Sequence, residues 1–331
     1  MKIIFLTEGS KKVGFGHITR CLSIYQAFED MGFEPEFIVN GDNSVKQILN
    51  GTNYKIFNWL EEKNKLFDYL KKTNILFIDS YLAELSLYLE LNETAELCVY
   101  IDDNRRLDYP KGIILNANIH AEKLYKSKDG KHFYLLGTRY VLLRKEFWYM
   151  SEKKIRQDIK KIMVTFGGDD FKNMTPKVLK FFTENYTDLI KFVIAGGAFK
   201  NIDEIKEYSD DKTEIIYSAD ALAMKNIMLD SDIVISAAGQ TLYEICATKT
   251  PAISITVAEN QKGNASGFDE VGVIPNMDYN DDKLTDKLRL IFEELKEYSL
   301  RNNISLKMSD LVNNNGAISA RNEILKIFSG L

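Results

Sequence analysis

His17 stands in the run Gly14-Phe15-Gly16-His17-Ile18-Thr19-Arg20, a few residues after the apolar stretch Ile3-Ile4-Phe5-Leu6. A buried strand that passes through a glycine loop into a helix beginning at an imidazole aims backbone N–H groups and one proton acceptor at the same place. That combination suits a phosphorylated substrate carrying something to deprotonate. The helix N-terminus favours the neutral ring that a general base needs. The same residues also fit a capped strand-to-helix turn with a solvent-facing histidine, so Gly-x-Gly-His does not decide by itself.

Three further groups of residues could act with it. Tyr81 follows Ile75-Leu76-Phe77-Ile78-Asp79-Ser80, another strand end, and Asp79 and Tyr81 are candidates to orient the histidine or a substrate. Gly167-Gly168-Asp169-Asp170 would let backbone approach a phosphate or sugar, with Asp170 as helix cap or hydroxyl acceptor. In Ser236-Ala237-Ala238-Gly239-Gln240-Thr241-Leu242-Tyr243-Glu244, small side chains expose amides to which a diphosphate could bind without a metal ion. Glu244, about one turn in, could accept from a ribose diol. A plain capping sequence with a solvent glutamate is the alternative. Asn260-Gln261 would supply amides for sugar hydroxyls. Asp102-Asp103 reads as a solvated turn, and His120 and His132 as surface residues in irregular stretches. No metal and no cofactor is assigned.

The elements that must position these groups follow from the apolar pattern. Ile3 to Leu6, Glu36 to Val39, Lys55 to Phe57, Ile75 to Ile78, Cys98 to Ile101 and Ile113 to Leu115 are short apolar runs separated by helix-length segments. Consecutive apolar positions suit strands covered on both faces, hence a parallel sheet between helices. The pattern pauses across Arg139 to Lys161, where charge becomes dense, and restarts at Ile162. It continues through Ile190 to Ala195, Glu214 to Tyr217, Ile233 to Ser236 and Ala252 to Ile255. The expected organisation is two Rossmann-like α/β domains, 1–150 and 151–331, with a substrate cleft between them and C-terminal helices in the second. A last helix is expected from about Ala317 to Phe328.

Composition narrows the class. The chain has 331 residues, 45% hydrophobic and 27% charged, which fits a globular protein large enough for two cores. A net charge of −5 argues against a nucleic-acid surface. Cys21, Cys98 and Cys246 are odd in number and widely spaced, which reads as reduced thiols. The first apolar stretch is too short for a signal-peptide core and no run reaches membrane-spanning length, so a cytoplasmic protein without stable membrane insertion is expected.

Taken in order, the motifs resemble the PseG/SpsG family, UDP-sugar hydrolases of pseudaminic acid biosynthesis related to MurG-type glycosyltransferases. The resemblance runs through Gly14-x-Gly16-His17-x-x-Arg20-Cys21-Leu22, Asp79-Ser80-Tyr81, Gly137-x-x-Tyr140-x-x-Leu143-Arg144-x-Glu146-Phe147, Gly167-Gly168-x-Asp170, Ala238 to Glu244, and Asn260-Gln261. It implies a GT-B-like pair of Rossmann domains. His17 would be the catalytic base with Tyr81 beside it, and Gly14, Gly16, Arg20 and Asp79 would line the sugar side. Gly167, Gly168, Asp170, Ala238, Gly239, Gln240, Thr241, Glu244, Asn260 and Gln261 would bind the nucleotide and sugar. An Ala221 to Met224 loop, through Leu222 and Met224, would flank uracil.

The implied reaction is inverting hydrolysis of UDP-2,4-diacetamido-2,4,6-trideoxy-β-L-altrose by water, without cofactor. Many members carry an arginine and, two positions on, an aspartate ahead of the glycine loop. This chain has Leu6 and Glu8 there, which leaves the sugar open. Asn315-Gly316 stands where Asp-Gly is frequent. A GT-B glycosyltransferase, a hydrolysing 2-epimerase and a non-catalytic nucleotide-sugar-binding protein are the alternatives, separated by acceptor dependence, solvent deuterium at C2, and binding without turnover.

Overall fold

The computed structural model describes residues 1–10, 13–126 and 130–331. The chain divides into two compact units, one of Met1–Lys145 with Asn315–Leu331, the other of Glu146–Asn314.

In the first unit the elements run β1 (Ile3–Gly9), α1 (Gly16–Glu29), β2 (Glu36–Gly41), β3 (Tyr54–Ile56), α2 (Lys63–Leu70) and β4 (Thr73–Asp79). They continue with α3 (Leu85–Asn92), β5 (Ala95–Ile101), β6 (Gly112–Asn116), α4 (Ala121–Leu124) and β7 (His132–Leu136). The second unit opens with β8 (Lys161–Thr165), α5 (Met174–Asn185), β9 (Ile190–Ala195), α6 (Ile202–Glu207), β10 (Thr213–Tyr217), α7 (Ala221–Asp230) and β11 (Ile233–Ala237). It closes with α8 (Thr241–Ala247), β12 (Ala252–Thr256), α9 (Lys262–Glu270), β13 (Asn276–Asp278), α10 (Leu284–Glu294) and α11 (Tyr298–Leu311). The final helix, α12 (Gly316–Ser329), returns to the first unit.

Both sheets are parallel throughout, seven strands in the order β3-β2-β1-β4-β5-β6-β7 and six in the order β10-β9-β8-β11-β12-β13. Consecutive apolar residues in β1 serve opposite faces: Ile3 and Phe5 join one buried cluster with Ile18, Ile24 and Phe28 of α1, while Ile4 and Leu6 join another with Leu66, Leu87 and Leu91. This is why a doubly covered strand shows no alternation. In each sheet the strand order reverses once, between β1 and β4 and between β8 and β11. Ligands of open α/β sheets bind beyond the carboxyl ends of strands at such a reversal.

Two expectations are corrected here. The terminal helix was expected in the second domain, but Ala320 and Ile324 of α12 are buried in the cluster formed with α1. Arg321 Nη1 donates to Ala27 O at 2.6 Å, meeting a carbonyl near the end of α1 that lies beyond the last intrahelical donors. Gly316 permits this docking: a Cβ there would lie 2.3 Å from Val141 O and 2.5 Å from Val141 N. The second correction concerns His132, which is not in an irregular stretch but opens β7, its ring Nε2 3.0 Å from Tyr109 O and 2.9 Å from Pro110 O. Among the described residues no helix is long and apolar enough to cross a membrane.

Candidate active site

The first unit's reversal point carries the histidine. Between β1 and α1, Gly14 N–H donates to Ser10 O at 2.8 Å and Ser10 N–H donates to Gly14 O at 3.2 Å. Gly14 has φ +91°, a conformation that side-chain-bearing residues rarely adopt. Gly16 begins α1, so His17 falls in the first turn. Gly9 lets the helix approach: a Cβ there would meet Ile18 Cδ1 at 2.4 Å.

Directly across, at the end of β4, Asp79 is fully buried. Its Oδ1 lies 2.6 Å from His17 Nδ1 and accepts from Arg20 Nη2 at 2.6 Å, while Oδ2 accepts from Arg20 Nε. Arg20 Nη2 is also 3.1 Å from His17 Nδ1. A guanidinium has no acceptor and Nδ1 cannot serve two roles, so with Nδ1–H donated to Asp79 this last approach is a packing contact. Arg20 Nη1 donates to Asp103, just past β5.

Burial alone would raise the Asp79 carboxyl, but Arg20 and then His17 hold it well below the ordinary aspartate value. Asp103 is likewise lowered, burial being outweighed by Arg20 and by the Tyr81 hydroxyl. Arg20 is pushed well above its usual value, Asp103 and Asp79 overcoming the cost of burial. The cluster is therefore a buried guanidinium between two ionised carboxylates.

Tyr81 packs edge-on to His17, with ring centroids 4.6 Å apart at 84°, and donates its hydroxyl to Asp103 Oδ2 at 2.7 Å. Burial and then Asp103 raise its phenol, so it stays protonated. Its loop is fixed by Glu8, 1% exposed in β1: Glu8 Oε1 accepts Tyr81 N–H at 2.7 Å and Oε2 accepts Ser80 Oγ at 2.6 Å. The departure at Glu8 thus serves as an internal brace. Leu6 is buried in the core.

The geometry brings together Gly14, Gly16, His17, Arg20, Asp79 and Tyr81. It adds Glu8, Asp103 and Asn118, whose Nδ2 donates to Asp103 Oδ1 at 3.1 Å. Asp103 was read as part of a solvated turn. The correction comes from strand order, because β5 lies beside β4 and delivers Asp103 to Arg20. An apolar strand ending in Asp-Asp was the available signal.

In the second unit, Gly167 (φ +80°) and Gly168 follow β8 and are exposed. Gly196 at the end of β9 approaches them so closely that a Cβ would lie 2.3 Å from Gly168 O, and Ala198 N–H donates to Gly168 O at 3.0 Å. Asp170 is the capping alternative made real: buried, it accepts from Met174 N–H at 2.8 Å, Thr175 N–H at 2.9 Å and Asn201 Nδ2 at 2.8 Å. Three protein donors thus meet the Asp170 carboxylate, two of them the first free N–H groups of α5.

Across the reversal, Ala238 is buried, Gly239 and Gln240 lead into α8, Thr241 begins it, and Glu244 lies in its first turn. Gln261 joins this edge, its Nε2 3.9 Å from where a Gly239 Cβ would sit and its Oε1 accepting Val257 N–H at 3.0 Å. Asn260 is exposed beside it. Ala221 to Met224 is not a loop but the first turn of α7, capped by Asp220 through Ala223 N–H at 2.8 Å. Leu222 is exposed there and Met224 is buried, so Met224 faces the protein interior. Among the described residues no group of three or more His, Cys, Asp or Glu could hold a metal ion.

Two parallel sheets with helices, each reversing order beside a small-residue loop, define a two-domain α/β protein with a GT-B-like fold. MurG of Acinetobacter baumannii superposes with a TM-score of 0.68 at 12% identity, over 97% of this chain and 99% of that one. Residues 161–315 match the family model of the glycosyltransferase family 28 C-terminal domain.

Among whole-sequence relatives, an uncharacterized protein of Methanocaldococcus jannaschii is 27% identical over 79% of this chain and 57% of its own length. A Helicobacter pylori protein named pseudaminic acid cytidylyltransferase and UDP-2,4-diacetamido-2,4,6-trideoxy-beta-L-altropyranose hydrolase is 26% identical over 81% of this chain and 46% of its own length. The chain therefore spans about half the length of these two. The Campylobacter jejuni UDP-2,4-diacetamido-2,4,6-trideoxy-beta-L-altropyranose hydrolase is 24% identical over 82% of this chain and 97% of its own length. The resemblance to PseG and SpsG proteins holds at 20–26% identity over 81–82% of the chain.

Proposed function

We propose that the protein hydrolyses the anomeric C–O bond of a UDP-sugar, with the first unit supplying the base and the second holding the nucleotide. The observation that carries this reading is the His17–Asp79 pair at 2.6 Å. With Nδ1–H donated to the carboxylate, the neutral ring presents Nε2 as a proton acceptor. Nε2 takes a proton from water as the water oxygen attacks the anomeric carbon; the bond to UDP breaks, the diphosphate leaves with the electron pair, and configuration inverts. Asp79 stabilises the imidazolium so formed, while Arg20 and Tyr81 fix the carboxylates around it.

Gly167, Gly168, Gly239, Gln240, Thr241, Asn260 and Gln261 are assigned to the diphosphate and sugar, and Glu244 to ribose. The substrate that the relatives favour is UDP-2,4-diacetamido-2,4,6-trideoxy-β-L-altrose. Cys21, Cys98 and Cys246 are buried free thiols, which suits a reducing cytoplasm.

The test is UDP release from that nucleotide sugar without any acceptor, following the anomer of the freed sugar by NMR. Release with initial inversion is expected, lost in His17→Ala with UDP affinity retained. Glu244→Ala should chiefly weaken UDP binding. Full turnover in His17→Ala would refute the mechanism. The likeness of the fold and of residues 161–315 to glycosyltransferases supports one second reading, transfer to an acceptor hydroxyl, which predicts turnover only when acceptor is added.

A further inference from the structure

The carboxyl end of β6 holds two buried polar atoms without a hydrogen-bond partner among the described residues, Asn116 Nδ2 and His120 Nδ1. Asn116 is 1% exposed, and its Oδ1 is taken by Asn118 N–H at 3.0 Å. A buried polar atom without a protein partner costs roughly 1–3 kcal/mol unless water or a bound group completes its hydrogen bonding. His120 was expected at the surface. It is half-buried instead, just ahead of the single-turn helix α4.

Its place in the sheet is what matters. Strands β4, β5 and β6 are neighbours, so their ends form one row: Asp79 and Tyr81, then Asp103, then Asn118 and His120. Asn118 ties the last step to Asp103 at 3.1 Å, and Asp103 in turn accepts from Tyr81 and Arg20. His120 feels the Asp103 charge. Burial lowers its pKa, Asp103 opposes this, and Lys123 adds to the lowering. The ring at neutral pH is uncharged and offers one donor and one acceptor. A neutral ring with one donor and one acceptor is matched by an uncharged polar group, which can both accept and donate.

We propose that His120 is a specificity-determining residue of this site, hydrogen-bonding an uncharged polar substituent, acylamino or hydroxyl, of the sugar on which His17 acts. The proposal rests on the hydrolase reading above. The chain has three histidines, so ring 15N signals can be assigned by single substitution. Titration with free 2,4-diacetamido-2,4,6-trideoxy-L-altrose should shift the His17 and His120 rings, and UDP should shift neither.

His120→Ala should raise KM for the UDP-sugar roughly tenfold, as loss of one hydrogen bond does, with kcat within about threefold. His120→Asn should recover part of the loss, and urea midpoints should stay close to wild type. If His17 responds and His120 does not, or if KM is unchanged in His120→Ala, the proposal is overturned and the hydrolase reading stands. If no ring responds and the wild-type protein releases no UDP, the hydrolase reading falls and takes this proposal with it.

Discussion

Asp79→Asn isolates the role of the buried carboxylate. Asp79 is 0% exposed and its two oxygens meet His17 Nδ1, Arg20 Nε and Nη2, and the Cys21 thiol at 3.6 Å. An asparagine of the same shape brings one acceptor and one donor. If its oxygen takes the Oδ1 position, its NH2 faces Arg20 Nε–H; if reversed, it faces Arg20 Nη2 and His17 Nδ1 together. Either way a donor is set against the guanidinium, and the second arrangement also forces the imidazole into the tautomer that cannot accept at Nε2.

Removing one member of a buried pair costs about 3–5 kcal/mol, and Asp103 remaining on Arg20 places this change near the lower end. In the proposed mechanism the imidazolium formed on His17 loses its counter-charge, for which a fall in kcat on the order of 10²–10⁴ is expected. The assays are urea unfolding at pH 7 and steady-state UDP release, with UDP affinity as the control that the second unit is intact. A variant with kcat within threefold of wild type and retained stability would falsify the orienting role of Asp79 and the reasoning built on it.

Other consequences can be checked in the same preparations. Gly196→Ala should destabilise by about 1–3 kcal/mol, because its Cβ would strike the Gly168 backbone; Gly197→Ala, whose nearest neighbour is Ser218 Oγ at 3.4 Å, should be close to neutral, and equal urea midpoints for the pair would contradict this. Glu8→Ala leaves Ser80 Oγ and Tyr81 N–H without their acceptor, costing about 2–3 kcal/mol and lowering kcat by loosening Tyr81; unchanged midpoint and rate would remove the brace from the account. For pH, folded-state lowering of Asp79 and Asp103 means their stabilisation is complete above the ordinary aspartate value of 3.8 and is lost as pH falls through the lower folded values. The stability gap between wild type and Asp79→Asn in urea should therefore hold from pH 7 to about 5 and shrink below about 4; a gap that shrinks between pH 7 and 5 would point to a different group.

Much of this protein can be read from local sequence. Consecutive apolar residues such as Ile3 to Leu6 announce strands covered on both faces, because each neighbour must be buried on opposite sides. Gly14, with its positive φ, and the Gly-x-Gly-His spacing announce a strand-to-helix turn bearing an imidazole. The pairing of Asp79 with His17 was within reach for the same reason, since both stand at ends of recognisable strands. What local pattern does not carry is the order of strands, which depends on how whole helices pack against the sheet. That order sets β5 beside β4 and so turns Asp103 from a solvent turn residue into the partner of Arg20 and Tyr81. It also makes Glu8 a brace and carries His120 to the end of the same row.

The destination of α12 is equally tertiary: Ala320, Ile324 and Gly316 show an amphipathic helix in sequence, but only the surface of α1 and the backbone of Val141 decide which unit receives it. Asp170 and Met224 are likewise placed by tertiary structure, one as a cap on the N–H groups that open α5 and the other as a buried residue of α7. The sequence by itself determined which residues could do chemistry and where each strand ends; the tertiary structure decided which ends meet, because adjacency in a parallel sheet is fixed by burial over the entire domain.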